Sequence, residues 1–257
     1  MEDRQKKYEG DVKIQVPVSK KLENFWYHYK WHTISVLVAI FIGVLLIAQM
    51  CSRTSFDSHI LYAGYHEIKK TSSDGDTAPY AKILGELESI ASDVDGDGER
   101  NVNFLNLFVI NEEEASKLLA DNRDFEVNET LVREDTSVFN HDIVYGDYYL
   151  CFLSERLYLE YEARYEGKLF SDLSKYTEGL ECEFVSDAKT GIYLSSLKIY
   201  EKPAISRLPD DTVVVLRRIS EFAGSVSKKS NQKKFAMGET MLKNILAYGA
   251  PASSENE

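Results

Sequence analysis

The stretch DVDGDGERN, residues 93–101, holds the most specific arrangement of polar side chains in the sequence. Its spacing matches the start of a calcium-binding loop: three aspartates fall at loop positions one, three and five, and Gly98 falls at position six, where such loops turn sharply. Position twelve is Phe104, so the bidentate glutamate that closes a complete loop is missing. The predicted metal ligands are Asp93, Asp95, Asp97, Glu99 and Asn101, and the predicted cation is Ca2+.

Calcium binding is one of two interpretations of this stretch. Three carboxylates so close together repel one another unless a cation or open water screens them, which favours an ion. Aspartate and glycine are also common in solvated turns that bind nothing. The sequence leaves both interpretations open, and in either case the stretch is expected to lead the chain from a helix into a strand.

Residue patterns of common enzymes are missing from the sequence. It contains no H-E-x-x-H spacing for zinc, no G-x-S-x-G elbow, no Walker loop and no G-x-G-x-x-G. We therefore expect no catalysis. A hydrolase whose carboxylates converge only in the folded chain is the hypothesis that these absences leave open.

The overall composition limits partners and covalent chemistry. Lys and Arg total 30 against 42 Asp and Glu, a formal net charge of -12, so nucleic acid is not an expected partner. Three cysteines are too few for a disulfide scaffold. Cys151 and Cys182 would share an oxidising compartment, but Cys151 lies in an apolar strand, where a buried free thiol is equally expected.

Three apolar segments, each followed by a helical pattern, predict the fold class. HILYAG, NVNFLNLFVI and IVYGDYYLCFL are predicted strands at 59–64, 101–110 and 143–153. Alternating strands and helices are typical of a mostly parallel sheet covered by helices. We therefore predict an α/β fold, completed by the strand TVVVLRR and a last amphipathic helix near 230–248.

The carboxyl ends of these strands are the expected ligand site, because small molecules bind there in open parallel sheets. Helices that start at two of these ends would offer backbone donors to an anionic or polar group. Ordinary capping explains the same residues without a ligand, since Asn111 and Glu114 match a capping box and Ser154 is placed to cap a helix. The predicted ligand-binding residues are Gly64, Tyr65, Asn111, Ser154 and Glu155.

The stretch WHTISVLVAIFIGVLLIAQMC, residues 31–51, is predicted to be a transmembrane helix. It has no charged residue, no proline and the length of about 20 residues that crosses a bilayer, which is too long for the core of a signal peptide. Seven basic residues precede it and only Arg53 follows closely, so the amino terminus is expected in the cytoplasm. The predicted organisation is a short cytoplasmic segment with a juxtamembrane aromatic helix at 1–30, an exported α/β domain at 52–249 and a disordered tail at 250–257.

Two sets of residues resemble known families. The run GDYYLCFLSERLYLEYEARYEGKLFSDLSKY resembles a segment of type 2 periplasmic solute-binding-like domains, in which a strand and a helix precede a GxLxDL turn. The lead-in LENFWYHYKWHT, the DGDG loop and the segment LPDDTVVVLR are similar to those of uncharacterised single-pass membrane proteins of Gram-positive bacteria. The resemblances imply an exported binding domain, although the exported part is shorter than usual for a two-lobed binding protein.

Together these observations predict a membrane-anchored extracytoplasmic domain that binds or senses a small polar ligand without catalysis. The alternative is a structural or partner-docking envelope protein whose exported domain is stabilised by calcium. Either function would operate at the plasma membrane, with the lipid bilayer as one partner and an envelope protein or a small polar ligand as the other.

Overall fold

The structure is a computed structural model that describes residues 17–51, 55–71, 77–121, 126–219 and 225–249. It divides into two units, Met1–Thr54 and Ser55–Glu257. The predicted tail at 250–257 and the beginning of the predicted cytoplasmic segment, residues 1–16, lie outside the described residues.

The first unit contains a long helix, α1 (Val18–Cys51), which starts directly after Pro17. Its segment Phe25–Ile47 has 23 residues with a mean hydropathy of 2.0 and is long and apolar enough to cross a membrane. At the helical rise it measures about 35 Å, against about 30 Å for the hydrocarbon core of a bilayer. The helix begins well before the predicted span at 31–51 because no proline or glycine separates the aromatic lead-in from the apolar run.

The second unit is built on one five-stranded sheet. Its strands are β1 (Ser58–Gly64), β2 (Val102–Phe108), β3 (Leu150–Ser154), β4 (Gly191–Tyr193) and β5 (Thr212–Leu216). They lie in the order β2-β1-β3-β5-β4. The three strands β1, β2 and β3 are parallel, as their alternation with helices predicts, whereas β5 is antiparallel to both of its neighbours.

The sheet is mostly parallel at its centre, as the sequence predicts, and β5 is the strand whose direction makes it mixed. The chain passes from β4 to β5 through residues 194–211, which form single 3-10 turns and not the crossover helix that two parallel strands need. Ser154 at the end of β3 therefore pairs with Thr212 at the start of β5. As a result, the residues that precede β5 lie at the same edge of the sheet as the carboxyl ends of β1, β2 and β3.

The described part of this unit has five α-helices, and all but the second of them pack on the sheet. They are α2 (Pro79–Ile90), α3 (Glu112–Asp121), α4 (Glu129–Tyr145), α5 (Glu155–Arg164) and α6 (Ser225–Ala247). The helix α4 corrects the prediction of a strand at 143–153, because residues 143–145 form its last turn and β3 starts only at Leu150. Phe139 and Ile143, four residues apart, are both buried on one face of α4, and this helical spacing outweighs the local strand pattern.

The core lies on both faces of the sheet, because side chains alternate along each strand. Ile60 and Tyr62 of β1 pack on the side of α2 and α6, and Leu61 packs on the side of α4 and α5. Cys151 is fully buried on the second side, and its thiol is free, as is that of the half-buried Cys182. The two cysteines therefore do not form a disulfide in this structure.

Arg217, the residue after β5, is buried with 2% of its surface exposed. Its guanidinium donates to the backbone carbonyl of Val144 at 2.6 Å, to that of Tyr148 at 3.2 Å and to that of Gly146. The guanidinium also lies over the ring of Tyr149, 4.4 Å from its centroid. Because carbonyls at the end of a helix carry partial negative charge, Arg217 closes the carboxyl end of α4 and ties it to the sheet.

Candidate functional site

A cleft of about 630 Å3 lies at the sheet edge where the parallel strands end. Tyr65 follows β1, Asn111 comes shortly after β2, Glu155 follows β3, and Asp211 precedes β5. The first two turns of α3 and α5 supply the remaining wall. The lining residues are Tyr65, Asn111, Glu113, Glu114, Lys117, Leu118, Glu155, Arg156, Leu159 and Asp211.

Three of the five predicted ligand-binding residues line this cleft, namely Tyr65, Asn111 and Glu155. Gly64 and Ser154 are buried behind them in the ends of β1 and β3. A Cβ atom added to Gly64 would lie 3.5 Å from Cβ of Ser154 and 3.0 Å from the hydroxyl of Tyr62, so the glycine leaves room for these two side chains. Gly64 and Ser154 are thus not part of the cleft wall.

The start of α3 confirms the predicted capping box. The side-chain oxygen of Asn111 accepts the N–H of Glu114 at 2.8 Å, and the carboxylate of Glu114 accepts the N–H of Asn111 at 3.0 Å. At the start of α5, the N–H of Glu155 donates to the carbonyl of Asp211 at 3.0 Å. These three amides, which lie where the sequence predicts donors for a ligand, already have partners.

Ser154 does not cap α5 through its side chain, contrary to the prediction. It occupies the N-cap position, but its hydroxyl makes no capping hydrogen bond. The side chain is packed into the core, with 3% of the residue exposed, and its hydroxyl has no hydrogen-bond partner among the described residues.

Two of the four carboxylates of the cleft are paired with its two cations. Glu114 accepts from the guanidinium of Arg156 at 2.8 Å, and Lys117 lies 2.8 Å from Glu113 on the exposed face of α3. Among the residues that the structure describes, no lysine or arginine forms an ion pair with Glu155 or Asp211. The lining therefore has an excess of negative charge.

Asp211 is half-buried in the wall of the cleft. Burial raises the pKa of its carboxyl group, and the charges of Glu155 and Glu114 raise this pKa further. The hydroxyl of Tyr65 donates to Asp211 at 2.9 Å, and this hydrogen bond lowers the pKa of Asp211. Burial, followed by this hydrogen bond, also raises the pKa of Tyr65, so the phenol stays protonated and remains a donor.

Asp211 is missing from the predicted site because of the direction of β5. A parallel β5 would place the preceding LPDD segment at the opposite edge of the sheet, away from Tyr65. Two features of the sequence could have indicated Asp211 as a site residue: the pair Asp210-Asp211 stands immediately before a buried strand, and the connection from β4 is short. Lys117 and Arg156 reach the cleft because they lie in α3 and α5, the helices that begin at the predicted capping residues. No sequence pattern distinguishes them from the other basic residues.

The loop at 93–101 is organised by its own aspartates. The carboxylate of Asp93 accepts the N–H of Gly96 at 2.6 Å and that of Gly98 at 3.0 Å. Gly98 has a φ of +87°, a left-handed conformation that suits glycine, at the position where the sequence predicts the sharp turn. Asp97 accepts the N–H of Glu99 at 2.8 Å, and the side chain of Asn101 donates to the carboxylate of Glu99 at 3.3 Å.

A buried aspartate from outside the loop completes this arrangement. Asp57, 3% exposed, accepts the N–H of Val94 at 2.6 Å and the N–H of Asn101 at 2.9 Å. Oxygens of Asp57, Asp93 and Asp95 all lie within 4.8 Å of one another, as three ligands of one cation would. Of the predicted metal ligands, Asp93 and Asp95 thus belong to this group of carboxylates, whereas the carboxylates of Asp97 and Glu99 do not.

The position of Asp57 follows from the pairing of β1 with β2. Ser58 pairs with Val102 in parallel register, so Asp57 lies beside Asn101, and its N–H donates to the carbonyl of Asn101 at 2.8 Å. Spacing along the sequence gives no indication of this contact, because the two residues are separated by a whole helix and its loops.

The chain was compared with known proteins at the level of family models, curated sequences and solved structures. No family model, no curated protein and no solved structure matches it.

Proposed function

We propose that the protein is a membrane-anchored binding or sensing module, whose α/β unit faces the outside of the cell and takes up a small polar solute in the cleft at the strand ends. The observation that carries this proposal is the cleft itself, where Tyr65, Asn111, Glu155 and Asp211 come together from four segments of the chain. A cleft of about 630 Å3 lies within the range of about 300–1,000 Å3 that is usual for small-molecule sites. No catalytic step is part of the proposal.

The anchoring part of the proposal rests on α1. Its apolar segment is long enough to span a bilayer, and Trp26 and Trp31 at its start are exposed, as side chains of an interfacial belt would be. Basic residues precede the apolar segment, which favours a cytoplasmic amino terminus and an exported second unit.

The cleft can be tested with a pair of matched tryptophan substitutions. Leu159 lines the cleft and is 45% exposed, whereas Leu119 of α3 is 44% exposed and is not among the lining residues. Leu159→Trp should fill the cleft, and Leu119→Trp should add the same bulk elsewhere. The assay is the melting temperature of the full chain in lipid nanodiscs, measured against a panel of amino acids, sugars, amines and organic acids.

The proposal predicts that at least one solute raises the melting temperature of the wild type and of Leu119→Trp, but not that of Leu159→Trp. A panel in which no solute stabilises the wild type at millimolar concentration contradicts the proposal. So does a solute that stabilises all three proteins equally.

The second candidate function is a structural or partner-docking envelope protein stabilised by calcium. The group of Asp57, Asp93 and Asp95 favours it, because Asp57 supplies from outside the loop a carboxylate that the incomplete loop motif lacks. In this case millimolar CaCl2 should raise the melting temperature of the wild type, and Asp93→Asn should lower that response while Asp187→Asn, an exposed residue outside this group, keeps it. An equal response in all three proteins, or none, would exclude this function.

A further inference from the structure

We propose that the ligand of the cleft is a small organic cation, an amine with a short apolar chain. This inference rests on the proposed function and specifies the chemical class of the solute. It is carried by the charge balance of the lining, in which the charges without an ion-pair partner among the described residues are negative.

The charges within the cleft cancel only in part. Arg156 is held between Glu114 at 2.8 Å and Glu160 at 3.3 Å, and Lys117 is paired with Glu113. Of the four carboxylates that line the cleft, Glu155 and Asp211 have no cationic partner among the described residues. An ammonium group would supply the missing positive charge where these two carboxylates line the same cavity.

The backbone donors at the helix starts of this cleft are already used. The amides of Asn111, Glu114 and Glu155 already donate to oxygen atoms of the protein. An amine brings several N–H donors, whereas a carboxylate or phosphate would add acceptors to a site that is already acidic.

Apolar side chains complete the fit for an organic cation. Leu118 of α3 and Leu159 of α5 line the same cleft as the carboxylates, and they provide contact for methylene groups. A bare metal ion fits less well, because the part of the chain that the structure describes brings three carboxylates together only at Asp57, Asp93 and Asp95. The acids of the cleft are spread along its wall, which suits a ligand of several atoms.

The titration behaviour of the site agrees with this assignment. The pKa of Asp211 is raised by burial and, against the hydrogen bond from Tyr65, by the charges of Glu155 and Glu114. A bound ammonium group would relieve this repulsion between like charges.

Three five-carbon probes of equal length separate the charge types: cadaverine, 1,5-pentanediol and glutarate. Binding to the full chain in nanodiscs of zwitterionic lipid is measured by titration calorimetry at physiological salt. The cleft variant is Glu155→Gln with Asp211→Asn. The matched control is Glu181→Gln with Asp187→Asn, which removes the same two charges from exposed positions outside the lining.

We expect cadaverine to bind more tightly than the diol, and glutarate to bind most weakly. The cleft variant should weaken cadaverine binding by about tenfold or more, as the loss of charge-assisted hydrogen bonds implies, and the control should change it by less than about threefold. Melting temperatures of both variants check that they are folded. If the double cleft variant is unfolded, the single substitution Glu155→Gln gives the same test.

Tighter binding of glutarate or of the diol would overturn the inference, as would equal loss in both variants or no binding of cadaverine at millimolar concentration. None of these results affects the proposed function. That function fails separately, if no solute of the wider panel distinguishes Leu159→Trp from Leu119→Trp.

Discussion

Replacement of Arg217 by methionine should strongly destabilise the α/β unit. The guanidinium donates to three backbone carbonyls, those of Val144, Gly146 and Tyr148, in a site where the side chain is almost fully buried. Each buried carbonyl left without a donor costs about 1–3 kcal/mol, while removal of a buried charge recovers part of that cost. We expect a net loss of about 3 kcal/mol, a large share of the roughly 5–15 kcal/mol that stabilises a typical domain.

Cys151 provides a direct assay for this loss. Its thiol is fully buried in β3, and burial raises its pKa to about 12, so a thiol reagent reacts only when the sheet opens. With Cys51 and Cys182 replaced by serine, the labelling rate of Cys151 reports the free energy of opening. A loss of about 3 kcal/mol corresponds to labelling that is on the order of a hundredfold faster.

The neighbouring Arg218 is the matched control, because it lies one residue further along and is exposed. Arg218→Met should change the labelling rate by less than about threefold. The reasoning on Arg217 is refuted if Arg217→Met also changes the rate by less than about threefold, or if the two variants behave alike.

Three further predictions concern the loop, the sheet and the cleft. Asp57→Ala should lower stability by about 2 kcal/mol, because its carboxylate holds the amides of Val94 and Asn101, and limited proteolysis should then cut the 93–101 loop faster than in the wild type. Gly191→Ala should cost about 1–3 kcal/mol in thermal melting, since its Cβ would lie 2.7 Å from a methyl group of Val213 and 2.8 Å from the ring of Tyr158, both fully buried. Asp211→Asn should be at least as stable as the wild type at neutral pH. Because the pKa of Asp211 is raised in the folded protein, the folding stability of the wild type falls as the pH rises from the ordinary pKa of 3.8 through the pKa in the folded protein. Asparagine does not ionise, so the variant does not lose this stability. Melts at neutral pH and near pH 3 check the sign, and a variant that is less stable than the wild type only at neutral pH would contradict it.

The parallel half of the fold is predictable from the sequence. The strands at Ile60 and Phe104 appear as buried apolar runs, and the capping box at Asn111 marks the start of a helix as the structure has it. These features depend on neighbouring residues, so spacing along the chain is sufficient to find them. The boundary between α4 and β3 cannot be found in this way, because residues 143–153 taken alone have a pattern that suits a strand. The helical spacing of Ile143 appears only when Phe139, four residues earlier, is considered with it.

The missing parts of both sites come from long-range pairing. Asp57 reaches the loop of Asp93 because β1 and β2 pair in parallel register, and Asp211 reaches Tyr65 because β5 is antiparallel. Neither relation leaves a pattern in the residues close to these aspartates. The charge balance of the cleft, on which the proposed ligand class depends, therefore becomes apparent only in the folded chain.

Thiol labelling in intact cells tests directly whether the cleft lies on the outer side of the membrane. A Leu159→Cys variant, with Cys51 and Cys182 replaced by serine, carries one reactive thiol in the cleft, since Cys151 is buried. Ser19→Cys in the same background marks the amino-terminal side of α1. In intact cells, a membrane-impermeant maleimide should label Leu159→Cys and should label Ser19→Cys only after the cells are made permeable. Labelling of Leu159→Cys only after permeabilisation would contradict an exported binding domain.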